Sequence, residues 1–263
     1  ARLADCSLAD RFPGLEVMHV QSPSTRSLRG IEKCSRLAKI ILNTGKRSVV
    51  DTAVLHALKV RALSIHGPKP KQLLDIARSG VEVLELFGPE SSVLDSLRCG
   101  SVRELSLYRS SMHELRDLDA VGVRKLHVAD CAKLRGVADG CGLLESLVIE
   151  SSTFFEPASV ELARNLRFLM LTSLQDEVSI ERIASLPHLI EIRITNCRLS
   201  ISALGVPEHS KLRKAWISPC PNDSLMSLSL ANKSVGFCNG EVAFLAGVRI
   251  LIEQYDVLPR VEN

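Results

Sequence analysis

Ten aliphatic triplets recur along the chain, each with members at positions 0, +3 and +5 of its unit. They begin at Leu15, Leu37, Val60, Val81, Val102, Val123, Leu144, Leu166, Leu189 and Leu212. The successive intervals are 22, 23, 21, 21, 21, 21, 22, 23 and 23 residues. Nine consecutive intervals this close to one another are the signature of a stacked-repeat architecture. Within each unit the +3 and +5 residues share one side of an extended segment and the +4 residue faces the other. The pattern predicts a short strand with one buried face in every repeat. Such a strand cannot hide its apolar side alone, so neighbouring units must stack and share a core. An apolar share of 46% and 40 leucines in 263 residues supply that core and exclude a disordered chain.

The segment Leu186 to Cys197, LPHLIEIRITNC, contains the clearest unit, starting at Leu189. It resembles the leucine-rich-repeat family, whose unit reads L-x-x-L-x-L-x-x-N/C and repeats every ~20–29 residues. The resemblance covers roughly residues 1 to 220, and many units depart from the pattern at the N/C position. It implies an α/β leucine-rich-repeat solenoid, with a curved parallel β-sheet on the concave face and short helices, 3-10 turns and loops on the convex face. QLLDIARSG, SVELARN and SIERIASLPH read as one to three helical turns. HELRDLDAVG and KLRGVADGCG are shorter and glycine-punctuated, which predicts 3-10 or irregular backing.

Residues 1–218 are expected to form about ten units. After Leu212 the rhythm breaks: Leu225/Leu228/Leu230 arrives 13 residues later, and an apolar run spans Val242 to Ile252. Terminal repeats must cover an exposed core edge, so 219–263 is expected to hold degenerate repeats and a C-terminal cap of the same domain. Residues 1 to 14 resemble the backing half of a unit, and the chain is expected to be part of a larger polypeptide.

Six of the eight cysteines fall at two fixed points of the unit. Cys34, Cys99 and Cys141 precede a triplet by three residues; Cys131, Cys197 and Cys220 follow one by eight. Both points are bends beside the strand, where a small apolar residue with a weak donor suits a buried turn. No C-x-x-C pair supports a zinc ribbon. Cys197 and Cys220 would stand on adjacent rungs, where an oxidised pair is conceivable, but free thiols are expected and imply an intracellular compartment, cytoplasmic or nuclear. The cysteine-bearing units also look like those of F-box ubiquitin-ligase receptors, although no F-box segment is present.

Catalytic signatures are absent: there is no G-x-S-x-G and no H-E-x-x-H. NTGKRS fails as a phosphate loop because Ile40 stands where glycine is required. The seven histidines are too scattered for a helical metal site. No catalytic residue, metal or cofactor is expected. Membrane insertion is not expected either, since no apolar run approaches ~18 residues. A formal charge of +3, mixed along the chain, disfavours a dedicated nucleic-acid binder. Lys69 and Lys71, with Lys46 and Arg47 a repeat earlier, make only a short basic edge.

The phase of the repeat also predicts a surface. Residues at +2, +4 and +6 point away from the core, and equal offsets on strands about 4.8 Å apart form ladders. Phe87 and Tyr108 are neighbours at +6, adjoining Glu85, Glu104 and Arg109. His127, Val148, Met170, Arg193 and Trp216 lie at +4, with Phe168 beside Met170 at +2. Four of the ten aromatic residues thus fall at positions expected to be exposed, and such side chains dominate interfaces. The expected function is a non-catalytic module binding a protein partner through Phe87, Tyr108, Arg109, His127, Val148, Phe168, Met170, Arg193 and Trp216. A substrate receptor or regulator of an enzyme complex, of the ubiquitin-ligase or GTPase type, is the alternative. RNA association through the basic edge and an extracellular ectodomain rank below it.

Overall fold

In the computed structural model the described residues are 5–21, 24–43, 50–90, 93–97, 100–179, 182–183, 185–197, 199–200, 211–218, 242–245 and 248–252. Side chains are described for these except 93–94, 199–200, 214–218, 242–245 and 248–252. In chain order the strands are β1 (Val17–Val20), β2 (Lys39–Leu42), β3 (Ala62–His66), β4 (Val83–Phe87), β5 (Glu104–Tyr108), β6 (Glu114–Leu115), β7 (Lys125–Ala129) and β8 (Gly136–Val137). They continue with β9 (Ser146–Glu150), β10 (Phe168–Thr172), β11 (Val178–Ser179), β12 (Glu191–Thr195), β13 (Leu199–Ser200), β14 (Lys214–Ser218), β15 (Val242–Leu245) and β16 (Val248–Ile252).

One sheet runs β1-β2-β3-β4-β5-β7-β9-β10-β12-β14-β16-β15. Its pairs are parallel except β15–β16, where Val242 and Leu251 stand opposite each other in antiparallel register. Every parallel pair from β1 to β14 keeps equal offsets in register, as with Leu105↔Leu126↔Leu147↔Leu169. Register is fixed because a one-residue slip would turn each strand's apolar pair outward. From Leu37 to Ile194 all triplet members are buried; Leu15 and Met18, in the outermost unit, are only partly so. Fully burying one such side chain stabilises by about 1.5–3 kcal/mol.

A turn at +7 recurs with the strands. Gly67, Gly88, Arg109, Asp130, Ser151, Ser173 and Asn196 all have φ between 50° and 64°. The left-handed residue lets the chain leave the strand while its N–H joins the next rung, as Arg109 N–H donates to Ala129 O at 3.0 Å. The following +8 residue turns inward: Pro68, Pro89, Ser110, Cys131, Ser152, Leu174 and Cys197 are buried. Ser110 N–H donates to Cys131 Sγ at 3.2 Å, and Cys131 N–H to Ser152 Oγ at 3.4 Å. Cys141, at the other fixed point, donates to Leu115 O at 3.4 Å. Cys6, Cys34, Cys131, Cys141 and Cys197 are buried thiols. Cys99 and Cys220 lie outside the described residues.

The convex side differs from expectation in detail. QLLDIARSG does give an α-helix, Pro70–Ala77, with Gln72 Oε1 accepting the Lys69 N–H at 2.9 Å. SVELARN gives 3-10 geometry instead, Pro157–Leu162. HELRDLDAVG and KLRGVADGCG, expected to be 3-10 or irregular backing, carry β6 and β8, which pair in parallel as Glu114↔Gly136 and Leu115↔Val137. β11 and β13 form a second such pair. These adjacent backing segments satisfy backbone groups by pairing with each other, and HELRDLDAVG also carries a short α-helix, Leu118–Val121.

Candidate functional site on the concave face

Parallel register sets +6 side chains on adjacent rungs face to face. His66 stacks on Phe87 with ring centroids 4.2 Å apart and planes 4° from parallel. Phe87 stacks on Tyr108 at 4.5 Å and 12°. The +6 partner of Tyr108 on the next rung is Ala129, which has no ring. Tyr108 therefore meets His127 diagonally, edge to face, at 5.4 Å and 78°. Its hydroxyl lies 3.4 Å from His127 Nδ1. The other ring nitrogen, Nε2, is 3.3 Å from Glu150 Oε2, close enough for ion pairing but without the alignment of a hydrogen bond.

The ladder continues through His127↔Val148 and Val148↔Met170. Met170 then faces Arg193, and Arg193 faces Trp216. The Arg193 guanidinium lies 5.4 Å from the Phe168 ring centroid and also pairs with Glu191 at 2.7 Å. The side chain of Trp216 lies outside those described; its backbone occupies the place in β14 that the repeat phase assigns. His127 thus joins two clusters that are separate in sequence into one surface running from β3 to β12.

Exposure differs from the simple outward-facing expectation. Phe87, Tyr108, His127, Val148, Phe168 and Met170 are half-buried, because neighbouring rungs shield them, while Arg109 and Arg193 are exposed. Two small ladder members are buried outright, Ser64 and Ala129. Lys39 Nζ, on β2, pairs across β3 with Glu85 Oε1, on β4, at 3.6 Å. Tyr108 stands beside Ala129. Glu104 does not complement the ring stack; it accepts from Lys125 Nζ at 2.8 Å.

Sequence reasoning left His66 out of the site, although its +6 offset beside Phe87 was available as a signal. Burial, and secondarily His19, lowers its pKa from 6.5 and favours the neutral imidazole. Asn43, His66, Phe87, Lys69, Glu90 and Arg109 line an open groove of ≈ 530 Å³ at the strand ends. Gly67 and Gly88 form its lip. Of the basic edge, Lys69 lies in this groove, whereas Lys46 and Arg47 fall outside the described residues. Among the described residues no group of three His, Cys, Asp or Glu side chains could hold a metal ion. No helix among them is long and apolar enough to cross a membrane.

No protein-family model matches the chain. No curated protein matches it either. Among solved structures, it is similar to internalin C2 from Listeria monocytogenes str. 4b F2365, with 16% identity and a TM-score of 0.40 over 78% of this chain and 81% of that one. It is similar to TLR13, solved in complex with ssRNA13, with 15% identity and a TM-score of 0.34 over 78% of this chain and 43% of that one. A third likeness is to the APL1 leucine-rich repeat domain, with 10% identity and a TM-score of 0.28 over 96% and 89% of the two chains. The fold assignment rests on this chain's own regularities. The period of 21 to 23 residues, the in-register parallel ladder and the left-handed +7 turn give it a parallel-sheet solenoid fold, the architecture that the leucine-rich-repeat resemblance implies.

Proposed function

We propose that the chain is a non-catalytic interaction module that binds a protein partner through its concave face. The observation that carries this reading is the continuous His66–Phe87–Tyr108–His127 ring ladder. Half-buried rings set on a rigid parallel sheet lose little side-chain freedom when a partner covers them, which lowers the cost of association. Tyr, Trp and Arg are also the side chains whose burial dominates interfaces. Phe87, Tyr108, Arg109 and His127 form one half of the surface, and Val148, Phe168, Met170, Arg193 and Trp216 the other. The buried thiols favour an intracellular setting, within a larger scaffold or regulatory protein.

The test compares partners retained by the tagged full-length protein with those retained by a Phe87/Tyr108/Phe168/Trp216→Ala variant of unchanged circular dichroism. A purified partner should bind the variant at least about thirtyfold more weakly, since a single hot-spot truncation costs about 2 kcal/mol or more. Equal affinities would overturn the reading. A regulatory role in an enzyme complex is the second reading; it requires that such a partner carry the activity.

A further inference from the structure

A second surface lies on the flank where the chain turns into the strands. Residues at +1 of successive units project there, among them Arg124, Glu145, Arg167 and Ile190, and residues at −1 stand beside them, among them Leu143 and Lys211. These six contribute to one open groove of ≈ 580 Å³. Its charges are unbalanced. Arg124 Nη1 donates to Glu145 Oε1 at 2.5 Å, which neutralises both. Arg167 and Lys211 have no carboxylate partner among the described residues; Lys211 Nζ meets only the ring nitrogen Nδ1 of His188, at 3.2 Å. Among the described residues, two cations therefore line the groove without a carboxylate partner.

The lining also carries two aliphatic side chains. Leu143 is 45% exposed at one end of the groove, and Ile190, two rungs further along, is half-buried. Asn165, also in the lining, donates its amide to Gly142 O at 2.6 Å, which braces the −1 ladder. We propose that this groove binds an acidic polypeptide segment carrying an apolar side chain. Its carboxylates would engage Arg167 and Lys211, and its apolar side chain would cover Leu143. Charge complementarity selects the acidic character, and the aliphatic lining selects a peptide over a nucleic acid. Single-stranded nucleic acids need stacking platforms and an uninterrupted basic track, whereas His188 is the only ring in the lining and Glu145 interrupts the cations.

The test is fluorescence anisotropy with the whole chain and a fluorescein-labelled peptide in which glutamates surround one leucine. The wild type should bind it at about 50 mM salt and weaken by 200 mM, where screening shortens the reach of exposed charges. Arg167→Glu with Lys211→Glu should weaken binding at least about tenfold, as expected for two exposed ion pairs turned repulsive. Leu143→Ser should weaken it severalfold, and a glutamine version of the peptide should not bind. Tyr108→Ala should leave it unchanged, which separates this groove from the concave face. The proposal is overturned if the wild type ignores the peptide, if a folded double variant binds as tightly, if the glutamine peptide binds equally, or if an oligonucleotide displaces the peptide at lower concentration.

Discussion

Tyr108 meets His127 edge to face at 5.4 Å because its register partner on the next rung is Ala129. One missing ring turns the stack sideways and hands it from the +6 ladder to the +4 ladder. Val148, Met170 and Arg193 then carry the surface onward. A continuous face thus arises from two offsets of the repeat rather than one.

The ring ladder should contribute to stability as well as surface. Tyr108→Ala removes contacts with both Phe87 and His127, each aromatic pair being worth about 0.5–1.5 kcal/mol. Urea unfolding should show a loss of about 1–3 kcal/mol. Tyr108→Phe, which gives up only the 3.4 Å hydroxyl contact to His127, should lie within about 0.5 kcal/mol of wild type.

The strand frame and its core were legible because the 0, +3, +5 triplets bind sequence to structure through a two-residue period. The concave ladders were equally legible, since register follows from the same spacing. What escaped was set by neighbours instead. The Lys39–Glu85 pair spans the two rungs on either side of β3. The β6–β8 pair depends on two backing segments meeting. The left-handed +7 position was hidden because arginine, aspartate, serine and asparagine share it with glycine.

That position gives a backbone prediction. An added Cβ at Gly88 meets nothing within 4 Å, yet its φ is +64°. Gly88→Ala should therefore destabilise by about 1 kcal/mol through conformation alone. Arg109, at φ 54°, should respond in the opposite direction, with Arg109→Gly neutral or slightly stabilising. Thermal melts of the two variants check the opposite signs.

His66 should make folding pH-dependent. Its folded pKa is lowered from 6.5, so the unfolded chain binds more protons between the two values and stability rises with pH there. The stabilisation is complete above 6.5 and declines as pH falls toward the folded pKa. His66→Phe keeps a ring in the stack and should flatten this part of the profile, measured as unfolding free energy between pH 5 and 7.5. An unchanged slope would contradict the assignment.

The thiols should be inert in the native protein. Burial raises Cys141 to about 12 and Cys6 to about 11, and also pushes Cys34 and Cys131 upward. Since the thiolate is the reactive species, iodoacetamide at pH 8 should label these four only when denaturant is added. Mass spectrometry of peptides alkylated with and without urea reads this directly.

The most direct test of the central claim is site-specific photo-crosslinking. Benzoylphenylalanine replacing Tyr108 on the concave ladder is compared with the same group replacing Leu162, 44% exposed on the convex side. A purified partner should be crosslinked from position 108 and not from 162. Crosslinks from 162 alone would contradict it and move the interface to the convex backing.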